Sequence, residues 1–428
     1  MTVIGVDDTD SRERGMCTTY LATRVAERVR EAGGDVARLL LVRLNPAVEH
    51  KTRGNAALAV HTDLDADRAF DVAREELAAV AETDDPRTNP GLVVAPHAPD
   101  DAPDAVAEFS RRAVRDLLSR EAAEREIAAA SYRHAGWKNG RGKIGALAAV
   151  GAWTAFSGGT YEYISYREPE RRGTPREVDH ESLFAAADDA YPLAWDTVDR
   201  GSGEAVCVPH TPGPILHGIR GDDPDVVRTV ADRIESEPVE RTALFVTNQG
   251  TDAHLQDGRL ATVEDGHAYR VTGTVAAAPE TRQGGHVFLR LREDGAGADE
   301  HATLRCAAFE PTKRFRDRVR ALRPGDRVTV AGEVSRGTLK LEKFAVRRLD
   351  ATELVTPDCP DCGRSMESAG ADQGYRCRDC GTSAPGKVEQ AVDRDLERGW
   401  YEVPPAARRH VAKPLVRGGF DAPTHPER

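Results

Sequence analysis

The first half of the chain alternates short apolar runs with longer amphipathic stretches. Apolar runs at 2–6, 39–44 and 56–62 have the length and residue content of buried strands. Leu21, Val25 and Val29 recur every four residues, which predicts a helix that begins near Thr18. The same reasoning predicts helices at 66–83, 102–128, 146–152 and 227–235 and strands at 92–95 and 243–248. The order of these elements predicts a multidomain α+β protein.

The second half of the chain has a different sequence pattern, in which runs of β-forming residues are separated by turn residues. Gly284-Gly285 and Pro324-Gly325-Asp326 are two of these turns. The runs cover 268–276, 286–292, 302–309, 327–333 and 338–346. Five short strands in this span predict an OB-like barrel, a fold that often binds nucleic acid. An SH3-like barrel and a purely structural β-domain are the alternatives.

The length, the apolar runs and the cysteine content of the chain limit the classes of protein to which it can belong. The 428 residues are enough for several domains, and no apolar run reaches the roughly 20 residues of a membrane span. The first residues lack a basic segment followed by an apolar one, so we expect a cytoplasmic protein with no membrane partner. Seven cysteines, four of them in one late cluster, do not form a disulfide framework.

Basic residues are unevenly distributed in a chain whose net charge is −12. Residues 132–176, 312–323 and 404–420 are rich in arginine and lysine and poor in acids. Each run taken alone is typical of a solvated face. Three such runs in an acidic protein favour a polyanionic partner.

Three carboxylates follow the first predicted strand within four residues. Asp7, Asp8 and Asp10 repel one another unless a cation neutralises them, and Mg²⁺ shares such carboxylates with phosphate oxygens. The helix predicted at Thr18 offers free N–H groups to an anion. The pattern therefore indicates phosphate chemistry. A solvated acidic turn that caps the helix is the alternative.

The late cysteines form two Cys-x-x-Cys pairs separated by 14 residues. This spacing can place four thiolates tetrahedrally around Zn²⁺, and a glycine follows each pair as a tight knuckle requires. Rubredoxin-like iron and a redox dithiol are the alternatives, although nothing nearby indicates electron transfer. The sequence predicts a structural zinc ribbon with the ligands Cys359, Cys362, Cys377 and Cys380.

A glycine-rich basic loop at 138–145 precedes the predicted helix at 146–152. It matches neither a dinucleotide fingerprint nor a Walker A motif, because no apolar strand leads into it and Ile144 replaces the serine or threonine. Its glycines allow backbone N–H groups to approach phosphates, and its side chains add positive charge. We interpret it as a phosphate-binding loop. A flexible basic loop is the alternative.

Three further polar segments stand out, at 51–55, 210–221 and 248–252. Each also fits an ordinary loop, and the second is read here as a rigid, proline-rich segment. No serine or cysteine nucleophile motif is evident, and we expect Cys17 to pack inside.

Taken together, these residues resemble one family along nearly the whole chain, the archaeal tRNA(Ile) 2-agmatinylcytidine synthetases. Gly213 stands where many members are expected to have cysteine. The matching motifs, in order, are Asp7-Asp8-Thr9-Asp10-Ser11, Gly15-Met16-Cys17-Thr18-Thr19-Tyr20, Lys51-Thr52-Arg53-Gly54-Asn55-Ala56, Arg141-Gly142-Lys143-Ile144-Gly145-Ala146-Leu147, Pro209-His210-Thr211-Pro212, Gly218-Ile219-Arg220-Gly221, Asn248-Gln249-Gly250-Thr251-Asp252 and the two cysteine pairs.

The resemblance implies four modules. They are a split kinase-like domain at 1–60 and 127–197, a ferredoxin-like domain at 61–126 and 198–265, an OB-fold at 266–350, and a zinc ribbon with a basic tail at 351–428. It also implies an ATP-dependent ligase that replaces the carbonyl oxygen at carbon 2 of a wobble cytidine by agmatine. The substrate would be an isoleucine tRNA with a CAU anticodon, ATP would be consumed to AMP and phosphate, and AUA would then be read as isoleucine.

The resemblance also implies roles for residues. Asp7, Asp8 and Thr18 would be catalytic, Thr18 being the position of a phosphoacceptor, and Asp7, Asp8 and Asp10 would hold Mg²⁺. The remaining sets are Arg53, Lys138, Asn139, Arg141, Gly142, Lys143 and Gly145 for ATP; Asp196, Asp199, His210 and Thr211 for agmatine; and Arg314, Arg316, Arg408 and Arg409 for tRNA phosphates. No obligate protein partner is evident.

Two other classes of function fit parts of the sequence. A non-catalytic protein that binds single-stranded nucleic acid would use the barrel and the ribbon, but it leaves the aspartates without a role. A small-molecule kinase would use the aspartates and would not be stimulated by tRNA.

Overall fold

The structure is a computed structural model that describes residues 1–51, 54–156, 158–293 and 302–428. Its amino-terminal part, as far as it is described, contains seven α-helices, several of them capped by aspartate or serine side chains such as Asp65, Ser119, Asp179 and Asp223. The helices are α1 Thr18–Glu31, α2 Ala66–Val80, α3 Asp104–Arg115, α4 Arg120–Ala129, α5 Lys143–Ala155, α6 His180–Ala190 and α7 Pro224–Arg233.

Nine strands of the described chain form one sheet in this part. They are β1 Thr2–Asp7, β2 Val36–Arg43, β3 Ala56–Thr62, β4 Gly91–Ala95, β5 Arg133–Gly136, β6 Thr160–Arg167, β7 Ala194–Trp195, β8 Ile215–Gly221 and β9 Val239–Thr247. Their order is β5-β4-β1-β3-β2-β9-β6-β8-β7. Helices cover both faces near β1, which is why Val3 and Ile4, on opposite faces, are both fully buried.

Most predicted elements of this part are present, with bounds shifted by a few residues. The stretch 102–128 is divided into α3 and α4, and the proline-rich segment at 210–221 is wrong in part, because Ile215–Gly221 is strand β8. Strand β6 was not predicted, although Tyr163, Ile164 and Tyr166 are buried in it. The glycine-rich and polar residues that flank β6 mask its short apolar pattern.

Five strands after residue 267 close a ring around a second core. They are β11 Ala268–Thr281, β12 Val287–Arg292, β13 Thr303–Ala308, β14 Arg327–Ser335 and β15 Thr338–Arg348; a short strand, β10 Leu255–Asp257, pairs with β11, and helix α8 Phe315–Arg320 precedes β14. Strand β11 pairs with β12 and β14, β13 pairs with β12 and β15, and β14 pairs with β15. We call these strands the β-ring.

The carboxyl-terminal part leaves the β-ring and returns to it. Strands β16 Thr352–Val355 and β20 Val388–Ala391 form a two-stranded sheet. Between them in the chain, a small three-stranded sheet consists of β17 Glu367–Ser368, β18 Tyr375–Arg376 and β19 Ser383–Ala384. Strand β21 Gly399–Glu402 then pairs with β15, and β22 Thr424–His425 pairs with β21. In the described part of the chain, no helix has the length and hydropathy that crossing a membrane requires.

The strand pairing groups the amino-terminal segments differently from the interleaved division that we predict. Strand β4, within 61–126, pairs with β1, and β6, within 127–197, pairs with β8 and β9. The sheet is therefore built from one half before residue 137 and another after residue 159, joined where β2 and β9 run parallel. The predicted domain boundaries stay a prediction.

Candidate active site

The aspartate cluster lies at the end of the central strand β1. Asp7 ends the strand, and Asp8 has a φ of 56°, a left-handed conformation that turns the chain sharply. Burial and the charge of Asp8 raise the pKa of Asp7 well above its usual value. Burial likewise raises the pKa of Asp8 to about 6, even though Arg141 opposes the shift. Each carboxylate is thus held where its negative charge is costly.

The start of helix α5 is packed directly against these carboxylates. A Cβ atom on Gly145 would lie 2.0 Å from Asp7 Oδ2, and one on Gly142 would lie 2.7 Å from the Asp7 carbonyl oxygen. Only glycine allows this approach. Arg141, just before the helix, donates from Nη2 to Asp8 Oδ2 at 3.0 Å. The glycine-rich loop therefore meets the aspartate cluster, as phosphate chemistry requires.

Helix α1 starts at the same place from the other side. Its first residue is Thr18, and its N-cap, Cys17, makes no side-chain capping hydrogen bond. Helix α5 also lacks a side-chain cap. The first turns of α1 and α5 therefore converge beside the carboxylates, although the N–H groups of Lys143 and Ile144 already bond to the carbonyl oxygens of Gly140 and Arg141. The positive ends of two helix dipoles beside a carboxylate cluster suit an anion bridged to a cation.

A cavity of about 980 Å³ joins these groups to the β-ring. Its wall includes Asp7, Asp8, Asp10, Cys17, Thr18, Arg141 and Gly145 at one end. At the other end it includes Glu333, Ser335, Arg336 and Lys340, from the hairpin between β14 and β15, together with Arg409. The volume lies at the upper end of that of small-molecule sites, so there is room for more than one substrate group.

Several charged residues on the cavity wall were not predicted from the sequence, and Glu162 and Arg43 are the most buried pair among them. Glu162 of β6 is 4% exposed and lies between Arg43 and Arg220, 3.6 Å from Arg43 Nη2 and 3.3 Å from Arg220 Nε. Burial lowers the pKa of Arg43 despite this partner. For Glu162 the only signal in the sequence is a single glutamate inside an otherwise apolar and aromatic run. That signal can be used only once strand β6 itself has been predicted.

The predicted ATP-binding residues divide into two groups. Arg141 and Gly145 line the cavity. Lys138 donates to the Asp85 carbonyl oxygen at 2.5 Å, Lys143 pairs with Glu124 at 2.7 Å, and Asn139 accepts a bond from the Arg141 N–H at 2.9 Å. These contacts stabilise the loop and its helix start. Gly142 is the close-contact residue described above, and Arg53 lies outside the described residues.

The predicted agmatine-binding residues do not converge. Thr211 lines the cavity, but His210 is an exposed residue that contacts Glu204 at 3.2 Å. Asp196 and Asp199 are buried away from the cavity and pair with Arg408 and Arg314 respectively. A carboxylate that already has a buried guanidinium partner is a poor receptor for a second cation. These pairs disfavour a role for Asp196 and Asp199 in binding agmatine, and the assignment stays a prediction.

The predicted phosphate contacts are also occupied within the protein. Arg408 is 6% exposed between Asp196 and Glu402, a position that disfavours a phosphate contact, and its assignment stays a prediction. Arg409 pairs with Glu333 and Glu342, and Arg314 with Asp199 and Glu427. Arg316, 15% exposed, donates to the Gly285 carbonyl oxygen at 2.6 Å. These arginines mainly hold elements of the protein together.

The four late cysteines form a compact cluster whose Sγ atoms all lie within 4.8 Å of one another. Tetrahedral zinc with thiolate ligands requires separations of about 3.8 Å, and Cys362 Sγ lies 3.6 Å from Cys377 Sγ. The two knuckles repeat the same backbone bonds, from the Gly363 N–H to the Cys359 oxygen and from the Gly381 N–H to the Cys377 oxygen. The cluster therefore fits a structural zinc ion.

Comparison with known proteins agrees with this arrangement. The family model of the TiaS TCKD domain matches residues 3–64 and 61–139, that of the TiaS FLD domain matches 140–254, and that of the TiaS C-terminal zinc ribbon domain matches 356–396. The isoleucine-tRNA 2-agmatinylcytidine synthetase TiaS of Haloquadratum walsbyi is 54% identical over the full length of both chains. This chain belongs to the TiaS family.

Solved structures of TiaS extend the similarity to three dimensions. The complex of TiaS with its isoleucine tRNA and ATP superposes with a TM-score of 0.89 at 41% identity and covers 100% of this chain and 99% of that one. The complex of TiaS with the same tRNA, AMPCPP and agmatine superposes with a TM-score of 0.86 at 39% identity and the same coverage. The junction between the TCKD and FLD matches, at 139/140, falls between the two halves of the sheet.

Proposed function

We propose that this protein uses ATP to conjugate agmatine to carbon 2 of the wobble cytidine in the CAU anticodon of an isoleucine tRNA. The observation that carries the proposal is the cavity in which the aspartate cluster, two helix N-termini and Thr18 meet. Full-length similarity to TiaS proteins solved with an isoleucine tRNA, ATP and agmatine supports the choice of substrates. Formation of a carbon–nitrogen bond at the expense of ATP makes the proposed enzyme a ligase.

The chemistry explains why ATP is needed. The oxygen at carbon 2 of cytidine is a poor leaving group until it is phosphorylated. In the proposed reaction this oxygen takes a phosphoryl group that derives from ATP, as a phosphoanhydride bond of ATP breaks. The primary amine of agmatine then attacks carbon 2 and loses a proton, and the carbon–oxygen bond breaks so that the oxygen departs as phosphate. Phosphoryl transfer depends mainly on positioning and on charge neutralisation, and the site provides for both.

In this proposal Asp7, Asp8 and Asp10 hold Mg²⁺, because burial raises the pKa of two of these carboxylates and a cation would relieve that cost. The ion supplies charge neutralisation to the phosphates when it is bound. Arg141, on the cavity wall, and the positive end of the α5 dipole orient the triphosphate. Thr18, at the start of α1, lines the same cavity, and its hydroxyl is the proposed phosphoacceptor.

We assign finer roles to the modules on the same basis. The closed pairing order of the β-ring, with a helix before its fourth strand, is the order expected of an OB-fold, and we propose that it contacts the tRNA. The predicted segments 1–60 and 127–197, which contain Asp7 at the end of β1 and Thr18 at the start of α1, are proposed as the kinase-like module. The cysteine cluster is proposed to hold zinc in a purely structural role.

The decisive experiment incubates the full chain with labelled agmatine, ATP, Mg²⁺ and a CAU-anticodon isoleucine tRNA transcript, followed by nucleoside mass spectrometry. We expect label in the wobble cytidine, only when ATP is present. A transcript with uridine at the wobble position is the matched control and should take up no label. ATP turnover that tRNA does not stimulate would instead support a small-molecule kinase.

A further inference from the structure

Residues of two polar segments, 51–55 and 248–252, meet at Arg43, the last residue of β2. Asn248 accepts a hydrogen bond from the Arg43 N–H at 2.8 Å and donates its own amide to the Arg43 carbonyl oxygen at 3.0 Å. Gln249 accepts a hydrogen bond from Arg43 Nε at 2.7 Å, and both amide side chains are buried. The segment after β9 therefore fixes the backbone and the side chain of Arg43 together.

The segment before β3 makes room for the same guanidinium. A Cβ atom on Gly54 would lie 2.7 Å from Arg43 Nη1, so any larger residue there would displace the guanidinium. Asn55 fixes this turn, because its carbonyl oxygen accepts from the Leu44 N–H at 2.9 Å and its side chain donates to the Asn45 carbonyl oxygen at 2.6 Å. The position of Arg43 thus explains why a glycine stands at 54.

The far end of this guanidinium is only weakly paired within the described part of the chain. Glu162 Oε2 lies 3.6 Å from Arg43 Nη2, longer than a good hydrogen bond, and this buried oxygen forms no hydrogen bond with a described residue. The other oxygen of Glu162 lies 3.3 Å from Arg220 Nε. Two arginines, with side chains 14% and 17% exposed, therefore share one carboxylate and leave a positive charge in excess.

This excess charge lies beside the proposed phosphoacceptor. Arg43 is on the wall of the cavity that Thr18 also lines, whereas Arg220 is not. Burial lowers the pKa of Arg43, and Glu162 and the Cys17 thiol oppose the shift. Cys17, the residue before Thr18, is therefore a near neighbour of the guanidinium. A guanidinium whose terminal N–H groups lack strong partners suits a group with several anionic oxygens.

We propose that Arg43 contacts the phosphoryl group as it is transferred from ATP, and that Gln249 and Gly54 position its guanidinium. The inference rests on the proposed function. In this step a phosphoanhydride bond of ATP breaks and a bond from phosphorus to the acceptor oxygen forms. Arg43 keeps its proton and offsets the negative charge on the transferred oxygens. The contact is made mainly in the transition state, when that charge is spread over those oxygens.

The first test compares agmatine conjugation by the wild type and by Arg43→Gln, with the full chain, ATP, Mg²⁺ and the tRNA transcript. We expect kcat to fall about a thousandfold, the cost of losing an arginine that stabilises a transferred phosphoryl group. The KM values for ATP, agmatine and tRNA should stay unchanged, because the lost contact belongs to the transition state. Arg43→Lys keeps the charge without the paired N–H groups and should recover only part of the rate.

A double-variant comparison separates this role from a structural one. A purely structural Arg43 would act only by offsetting the charge of Glu162, so Arg43→Gln would be harmless once Glu162→Gln has removed that charge. An Arg43 that contacts the phosphoryl group predicts a loss in kcat of about a thousandfold in both the wild-type and the Glu162→Gln background. Equal kcat for Glu162→Gln with and without Arg43→Gln would overturn the inference.

Two variants test the positioning without removing the arginine. Gly54→Ala displaces Nη1, and Gln249→Leu removes the acceptor of Nε. Each should lower kcat about a hundredfold at unchanged KM, the cost of a displacement of about 1 Å at a reacting group. Arg38→Ala is the matched control. Arg38 also belongs to β2, but its guanidinium lies over the ring of Trp153, away from the cavity wall, so kcat should stay at the wild-type level.

Far-ultraviolet circular dichroism establishes that each variant is folded, and the two positioning variants keep the inference testable if Arg43→Gln does not fold. Wild-type kcat in Arg43→Gln, or a loss confined to KM, would overturn the inference. Wild-type kcat in both positioning variants would overturn the roles of Gln249 and Gly54. Failure of the proposed function is distinguishable, because then the wild type itself adds no agmatine to tRNA.

Discussion

The guanidinium of Arg408 donates to the carboxylate of Asp196, 212 positions away in the chain, and both side chains are 6% exposed. The pair joins the segment after β21 to the amino-terminal sheet. Arg417 with Asp222, and Arg428 with Asp188, repeat the pattern. The basic carboxyl-terminal residues thus clamp the β-ring onto an acidic surface of the sheet.

We predict that Arg408→Ala destabilises the protein by about 3–5 kcal/mol, because it leaves Asp196 buried without a partner. Urea denaturation followed by circular dichroism measures the change. Arg228→Ala, which removes an exposed pair with Asp225, should cost under about 0.5 kcal/mol and serves as the control. A reduced salt slope of tRNA binding with unchanged stability would show instead that Arg408 contacts phosphate.

Gly145→Ala should disable the site while leaving the fold largely intact. The new Cβ would overlap Asp7 Oδ2 at 2.0 Å, so the carboxylate or the helix start has to move. A displacement of about 1 Å at a reacting group costs about a hundredfold in rate. Gly386→Ala is the control, since no atom lies within 4 Å of the position that its added methyl group would take and its φ is ordinary. The measurement is the rate of agmatine incorporation at saturating substrates. This rate should fall about a hundredfold in Gly145→Ala and stay at the wild-type level in Gly386→Ala.

Asp8→Asn should abolish conjugation and yet stabilise the protein in the absence of divalent cations. The folded-state pKa of Asp8 is about 6, above the ordinary value of 3.8, so the folded protein holds its proton more tightly than the unfolded chain. The cost of the charge is absent below pH 3.8, grows as the pH rises, and is complete above pH 6, at about 3 kcal/mol. Asparagine tolerates the φ of 56°, whereas alanine would add strain.

The measurement is the free energy of unfolding in EDTA at several pH values. The difference between Asp8→Asn and the wild type should be near zero at about pH 3.5 and reach its maximum at about pH 7. A variant that is less stable than the wild type at neutral pH would show that the Arg141 pair outweighs burial, and would contradict the prediction.

Cys377→Ser should remove zinc from the protein and unfold the small sheet of the ribbon, because the ion holds its two knuckles together. Elemental analysis of the purified variant gives the metal content. Cys306→Ala, a substitution in the core of the β-ring, should retain one zinc ion per chain. Full zinc content in Cys377→Ser would refute the proposed ligand set.

The features that depend on residues close together in the chain could be predicted from the sequence. The carboxylates after β1, the start of α1 at Thr18 and the strands of the β-ring all follow from local periodicity, and the cysteine spacing already indicated a common metal. These features depend on backbone geometry and on neighbours in the chain, which sequence displays directly. Strand β6 was not predicted, because glycine-rich and polar residues on both sides obscure the apolar pattern of its eight residues.

Which charges pair with which was decided only by the tertiary structure. A run such as 404–420 has the same sequence whether its arginines face solvent, RNA or buried carboxylates. Arg408 pairs with Asp196 because the fold brings the two side chains together, and Lys143, at the start of α5, pairs with Glu124 because α4 lies beside it. By itself the sequence determined the local elements, the metal-binding spacing and the family resemblance. The partners of its long charged side chains often lie far away in the chain, and the packing of the two cores decides which of them meet.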